Sequence, residues 1–136
     1  MDVTLRPVTS DDLDAVCAVS LAQDLAWWGE AHEDADDVRS DVERAIAAHD
    51  SPEQATCLAV VGGAVVGVAL HYSHGQSSLA ADPTHPAADR CRAALLDWLV
   101  AGGVRDVDAP RQDAVLLGLL AERGYVATRS SFELER

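Results

Sequence analysis

The chain has 136 residues, with 10 basic and 23 acidic side chains and a formal net charge of −13. This length predicts one domain, residues 1–136, that can bury a hydrophobic core without disulfides. The negative charge excludes nucleic acid and anionic membranes as partners, because their phosphates would be repelled, and it favours a cationic small molecule, although it can also serve solubility alone.

Cysteine content and the N-terminus indicate the compartment. No apolar run has the length of a transmembrane helix, and the first residues lack a basic segment followed by an apolar one. Cys17, Cys57 and Cys91 are an odd number at no metal-ligand spacing. We therefore expect reduced thiols, no metal site and a cytoplasmic location.

The first third of the chain predicts a short strand and two helices. Residues 3–7 alternate and stop at a proline, as a short strand does. Ser10 or Thr9 can cap a helix that ends near Gly29. Its apolar face is predicted to consist of Leu13, Val16, Cys17 and Leu21. An acidic connection, residues 30–37, leads to a second amphipathic helix, which is broken over residues 48–54.

The middle of the chain is the clearest β region. Val-rich runs at residues 56–61 and 64–72 flank Gly62-Gly63. A Gly-Gly pair between two such runs indicates a hairpin, because both residues can take positive φ. A further strand is predicted over residues 76–81.

The last third predicts alternating helices and strands. Pro86 suits a first helical position, and the helix should run to about Val100. A strand over residues 104–109, a helix over residues 113–123 and a split strand over residues 125–134 follow. The order β-α-α-β-β-β-α-β-α-β(-β) predicts an α/β (α+β) fold. We expect a mixed sheet of six to seven strands flanked by about four helices.

Several segments in this order resemble the GNAT superfamily of N-acetyltransferases over the whole chain. They are residues 3–13, 63–70, 81–83, 94–99 and 113–125. The resemblance implies an acyl-CoA-dependent N-acyltransferase, with acetyl-CoA as cosubstrate, in which a small amine attacks the thioester directly.

Residues 86–91, at the start of the predicted helix, depart from the family pattern. The family's Arg/Gln-x-x-Gly-x-Gly/Ala loop binds pyrophosphate through backbone N–H groups and a helix N-terminus. Pro86 replaces the arginine and lacks an N–H, and Asp89 replaces a glycine. A carboxylate at about 5–6 Å from a phosphate would cost about 1–3 kcal/mol, which Arg90 and Arg92 can offset.

The resemblance also implies site residues. Those implied for the cofactor are Leu79, Ala80, Ala81, Ala87, Ala88, Asp89, Arg90, Cys91, Arg92 and Asp113. The family's tyrosine acid aligns with Leu120, so a base or acid must come from elsewhere. The catalytic candidates are Glu30, His71 and Tyr72, and the substrate-binding candidates are Trp27, Trp28, Glu30, His32 and His74. The alternative for the two tryptophans is packing in the core, and the alternative for the others is an ordinary place at the surface or at an edge.

Two functions remain open at this point. One is the acyltransferase. The other is a catalytically degenerate GNAT domain that serves as a binding or interaction module, as half of a tandem protein or paired with another copy. An exposed terminal strand would permit a homodimer by sheet pairing.

Overall fold

The computed structural model describes residues 2–31, 33–72, 75–109, 113–127 and 132–134. The strands are β1 (Thr4–Arg6), β2 (Thr56–Val61), β3 (Ala64–His71), β4 (Gln76–Ala81), β5 (Asp106–Asp108), β6 (Tyr125–Ala127) and β7 (Phe132–Leu134). The helices are α1 (Leu13–Trp28), α2 (Ala35–Ala47), the single turn α3 (Pro52–Ala55), α4 (Ala88–Ala101) and α5 (Ala114–Glu122), with a 3-10 turn at Ser10–Asp12.

All seven of these strands form one sheet in the order β1-β2-β3-β4-β5-β7-β6. Neighbouring strands are antiparallel except β4 and β5, which are parallel. The predicted mixed sheet and its element order are therefore confirmed. The predicted turn between β2 and β3 is also present, since Gly62 and Gly63 have φ of 57° and 83°.

The sheet separates two hydrophobic layers. One layer packs α1 and α2 against side chains such as Val68 and Leu70. The other packs α4 and α5 against side chains such as Ala69 and Leu79. Strand side chains alternate between the faces, so neighbouring residues near the end of β3 belong to different layers.

The observed helix boundaries correct three expectations. α2 begins at Ala35, inside the predicted connection, because Asp34 and Asp37 form a capping box with bonds of 2.9 and 3.1 Å. α4 begins at Ala88, because the Ala88 N–H bonds the His85 carbonyl in a turn instead of extending a helix from Pro86. α3 occupies part of the predicted break, with Pro52 at its first position.

The inner face of α1 also differs from the prediction. Leu21 is 43% exposed, whereas Val16, Val19 and Asp24 are buried. Apolar side chains occur on most sides of α1, so the hydrophobic pattern alone could not show which side is buried.

Some predictions fall on residues outside the described ranges. These are His32, His74 and the split of the last strand near Arg129. Among the described helices none is both long and apolar enough to cross a membrane.

Candidate active site

β4 and β5 separate halfway along β4. Their pairing ends at Ser78 opposite Asp108, whereas β4 stays paired to β3 through Ala81. Residues 79–81 therefore have one backbone edge that β5 does not cover. This is the segment in which the resemblance places Leu79, Ala80 and Ala81 against the acyl group.

A side chain from α1 reaches this open edge. The Asp82 N–H bonds the Val66 carbonyl of β3, so the Ala81 N–H points the other way, toward the gap. There it donates to Gln23 Oε1 at 3.2 Å. Sequence reasoning did not select Gln23, because only the packing of α1 across the sheet brings it to β4.

A cavity of about 250 Å³ adjoins the open edge between α1, α2 and the sheet. We call it the acidic cavity. Its polar lining comprises Ser20, Gln23, Asp24, Glu33, Asp41, Arg44, Tyr72, Ser78 and Asp108. Four carboxylates and one guanidinium give it a negative field, which attracts ammonium groups.

Glu33 has the surroundings of a general base. Its N–H donates to Asp24 Oδ2 at 3.3 Å, and its carboxyl hydrogen-bonds Asp41. The residue as a whole is exposed, but its carboxyl group faces the cavity. Burial of that group, then Asp41 and the charge of Asp24, raise the pKa of Glu33 to about 7.

Tyr72 also lines the acidic cavity. Its hydroxyl is 3.3 Å from Ser78 Oγ, and the Arg44 guanidinium lies 4.6 Å from its ring centroid. Burial raises the pKa of Tyr72 despite the hydrogen bond to Ser78. The phenol therefore keeps its proton at neutral pH and can donate it near the open end of β4.

The start of α4 uses its own backbone donors. The Ala87 N–H bonds His85 Nδ1 at 3.0 Å, and the Ala88 N–H bonds the His85 carbonyl at 3.1 Å. Asp89 is the acidic residue of the first turn, with a mostly exposed carboxylate. Because two of its N–H groups are occupied and its first turn carries an exposed carboxylate, this end of the helix fits a pyrophosphate poorly.

Arg92 pairs with Asp89 in the first turn of α4 and with Asp113 at the start of α5. Its side chain is 4% exposed, with Nε 3.0 Å from Asp113 Oδ2 and one terminal nitrogen 2.9 Å from Asp89 Oδ1. Its guanidinium also lies 5.6 Å from the ring centroid of Trp27. Asp113 in turn caps α5 by accepting the Leu116 N–H at 3.0 Å.

The remaining predicted residues lie apart from the acidic cavity. Trp28, Glu30 and Arg90 are exposed, and Cys91 is buried in the core, where burial raises its thiol pKa. His71 lies near Gly102 of α4, on the other face of the sheet from Tyr72. Of the predicted residues, Tyr72, Leu79 and Ala80 line this cavity.

Comparison with known proteins identifies the fold. No protein-family model and no curated protein matches this sequence. Among solved structures, yncA from Salmonella typhimurium with its cofactor acetyl-CoA has a TM-score of 0.67 and 15% identity, over 98% of this chain and 93% of that chain.

Two further structures match equally broadly. The GNAT domain of S. lividans PAT has a TM-score of 0.64 and 15% identity, covering 98% and 90% of the two chains. PaiA N-acetyltransferase from Thermoplasma acidophilum, in complex with coenzyme A, has a TM-score of 0.61 and 13% identity, covering 97% and 96%. The chain therefore has the fold of the GNAT N-acetyltransferases.

Proposed function

We propose that this chain is an acyl-CoA-dependent N-acyltransferase that uses acetyl-CoA to acylate a small cationic amine. The observation that carries the proposal is the acidic cavity beside the open edge of β4. A negatively charged cavity there would hold an ammonium group next to the backbone that can bind an acyl carbonyl.

Acetyl-CoA supplies an activated thioester, and the chain's own residues supply proton transfer. An amine enters as its ammonium form, held by Asp24, Asp41 and Asp108. Glu33 accepts a proton from that ammonium, because the pKa of Glu33, about 7, lies close to neutral pH. The neutral amine then attacks the thioester carbonyl, and the C–S bond breaks as the C–N bond of the amide forms. Tyr72 donates its proton to the departing thiolate, the role that Leu120 cannot fill, and it regains a proton from the acylated nitrogen.

A second function is favoured by the start of α4. The Ala87 and Ala88 N–H groups already have partners, and Arg92 is held by Asp113. A domain in which these two N–H groups and Arg92 are occupied would serve as a binding module, paired with a second GNAT domain or another copy of this chain. In that case the acidic cavity would bind a cationic ligand without transferring an acyl group.

Thermal unfolding with and without acetyl-CoA separates the two proposals. Ligand at about 100 times its dissociation constant should stabilise an acyltransferase by about 2.7 kcal/mol, a rise in Tm of several degrees. ATP at the same concentration controls for a nonspecific effect of polyanions. An unchanged Tm at millimolar acetyl-CoA would contradict the acyltransferase and support the binding module.

A further inference from the structure

A larger cavity lies at one end of the sheet, between α3 and the C-terminus of α4. Its volume is about 440 Å³, and we call it the Trp98 cavity. Its lining consists of His49, Glu53, Gln54, His71, Trp98, Ala101 and Gly102. It shares no lining residue with the acidic cavity, and α4 forms one of its walls.

The end of α4 gives this cavity a negative field. Ala101 and Gly102 lie at the C-terminus of the helix, where backbone carbonyls carry partial negative charge. No basic residue in the last turn of α4 offsets that charge. Glu53, at the rim, adds a carboxylate of the same sign.

Trp98 adds an aromatic wall. Its side chain is half-buried and packs against the core on one side while lining the cavity on the other. An indole face attracts cations through its quadrupole, and it does so more strongly where water is partly excluded. The aromatic wall and the helix end therefore favour the same kind of ligand.

Two histidines also line the cavity. His49 Nε2 lies 2.9 Å from the His71 carbonyl oxygen, and because a carbonyl oxygen only accepts, Nε2 is the donor. The rings are 4.5 Å apart. Burial, and then His49, lower the pKa of His71, which therefore remains neutral at neutral pH.

We propose that the Trp98 cavity binds a small organic cation with an ammonium group and an aromatic or apolar body. The ammonium would lie at the end of α4, between Glu53 and the Trp98 indole, and the apolar body would contact the same indole. None of the described residues lining this cavity is an arginine, so an anion would meet Glu53 without compensation. The volume lies within the range of small-molecule sites.

Nitrogen-15 NMR titration of the full chain with benzylammonium tests this proposal, with benzyl alcohol as the uncharged isostere. We expect benzylammonium to shift the Trp98 indole and Gly102 amide signals, and benzyl alcohol to bind at least about fivefold more weakly. Glu53→Gln should weaken benzylammonium binding about fivefold to tenfold. Glu43→Gln removes the same charge from the exposed side of α2 and should leave the affinity unchanged.

Three outcomes would overturn the proposal. They are equal affinity for the two probes, an unchanged affinity in Glu53→Gln, and benzylammonium shifts confined to residues 78–80 of the acidic cavity. Since Glu53 is an exposed residue of a single-turn helix, its substitution should not unfold the domain.

Discussion

Glu33 carries the pH dependence expected of the proposed acyltransferase. A base must be deprotonated to act, so activity should rise with pH through about 7 and fall as Glu33 gains its proton. Glu33→Gln should lower kcat/KM about 100-fold or more and remove that limb of the pH profile. Steady-state kinetics with acetyl-CoA and a small amine measure both effects.

Glu30→Gln provides the matched control for Glu33. It removes a carboxylate from the same connection, but Glu30 lies outside the acidic cavity and its substitution should leave the pH profile intact.

The raised pKa of Glu33 also affects stability, because the folded state binds the Glu33 proton more tightly than the unfolded state does. Glu33 therefore costs stability as pH rises from its ordinary pKa of 4.5 through about 7. In the kinetic experiment, a Glu33→Gln variant whose activity still rises with pH through about 7 would show that another group is the base.

Gln23 competes for a backbone donor that an acyl carbonyl would need. Its bond to the Ala81 N–H must break before that N–H can bind a ligand. Since a neutral hydrogen bond contributes about 0.5–1.5 kcal/mol, Gln23→Ala should tighten acetyl-CoA binding about twofold to tenfold. Isothermal titration calorimetry measures the change, with Ser20→Ala, one turn earlier on the same cavity wall, as the control. Weaker binding in Gln23→Ala would mean that Gln23 contacts the cofactor.

The sequence could predict only part of this site. Tyr72 and the β4 residues followed from the resemblance to the GNAT family, in a region whose strands the sequence predicts clearly. The acidic stretch before α2 was also visible, but which carboxylates face inward depends on where α2 begins. Since Asp34 and Asp37 fix that start, the positions of Glu33 and Asp41 follow from the capping box and from the packing of α2.

At the scale of elements, the buried ion pair between Arg92 and Asp113 joins α4 to α5. Asp113→Ala removes both the partner of a buried guanidinium and the cap of α5. We expect a loss of about 3 kcal/mol in the free energy of unfolding, measured by urea denaturation. Asp113→Asn retains an oxygen for the Leu116 N–H and should lose less. A loss below about 1 kcal/mol in Asp113→Ala would show that Asp89 alone suffices for Arg92.

Element types were predictable, whereas several boundaries were not. The spacing of apolar residues along the sequence and the Gly62-Gly63 turn identified the strands and helices in their correct order. The start of α4 differed because His85 closes a turn with Ala87 and Ala88, a contact that helix propensity and a proline position do not reveal. The same turn occupies two amides at the end of the helix where the resemblance places the pyrophosphate.

At the scale of the whole molecule, the net charge of −13 should oppose folding through self-repulsion. Raising NaCl from about 20 mM to about 300 mM shortens the Debye length and should stabilise the chain by about 1 kcal/mol, or about 3–5 °C in Tm. Differential scanning calorimetry at constant pH measures the change. A fall in Tm would mean that attractive ion pairs, such as Arg6 with Asp12 at 2.7 Å, outweigh the repulsion.

Sequence by itself determined the fold of this chain, because strand and helix order depends on local hydrophobic pattern, turn residues and caps. It also located the departures from the family's phosphate loop. Tertiary structure alone decided which side chains meet at the open edge of β4 and which face of the sheet each occupies. That difference is physical: the acidic cavity and the Trp98 cavity each combine residues far apart in the chain, and only packing across the sheet brings them together.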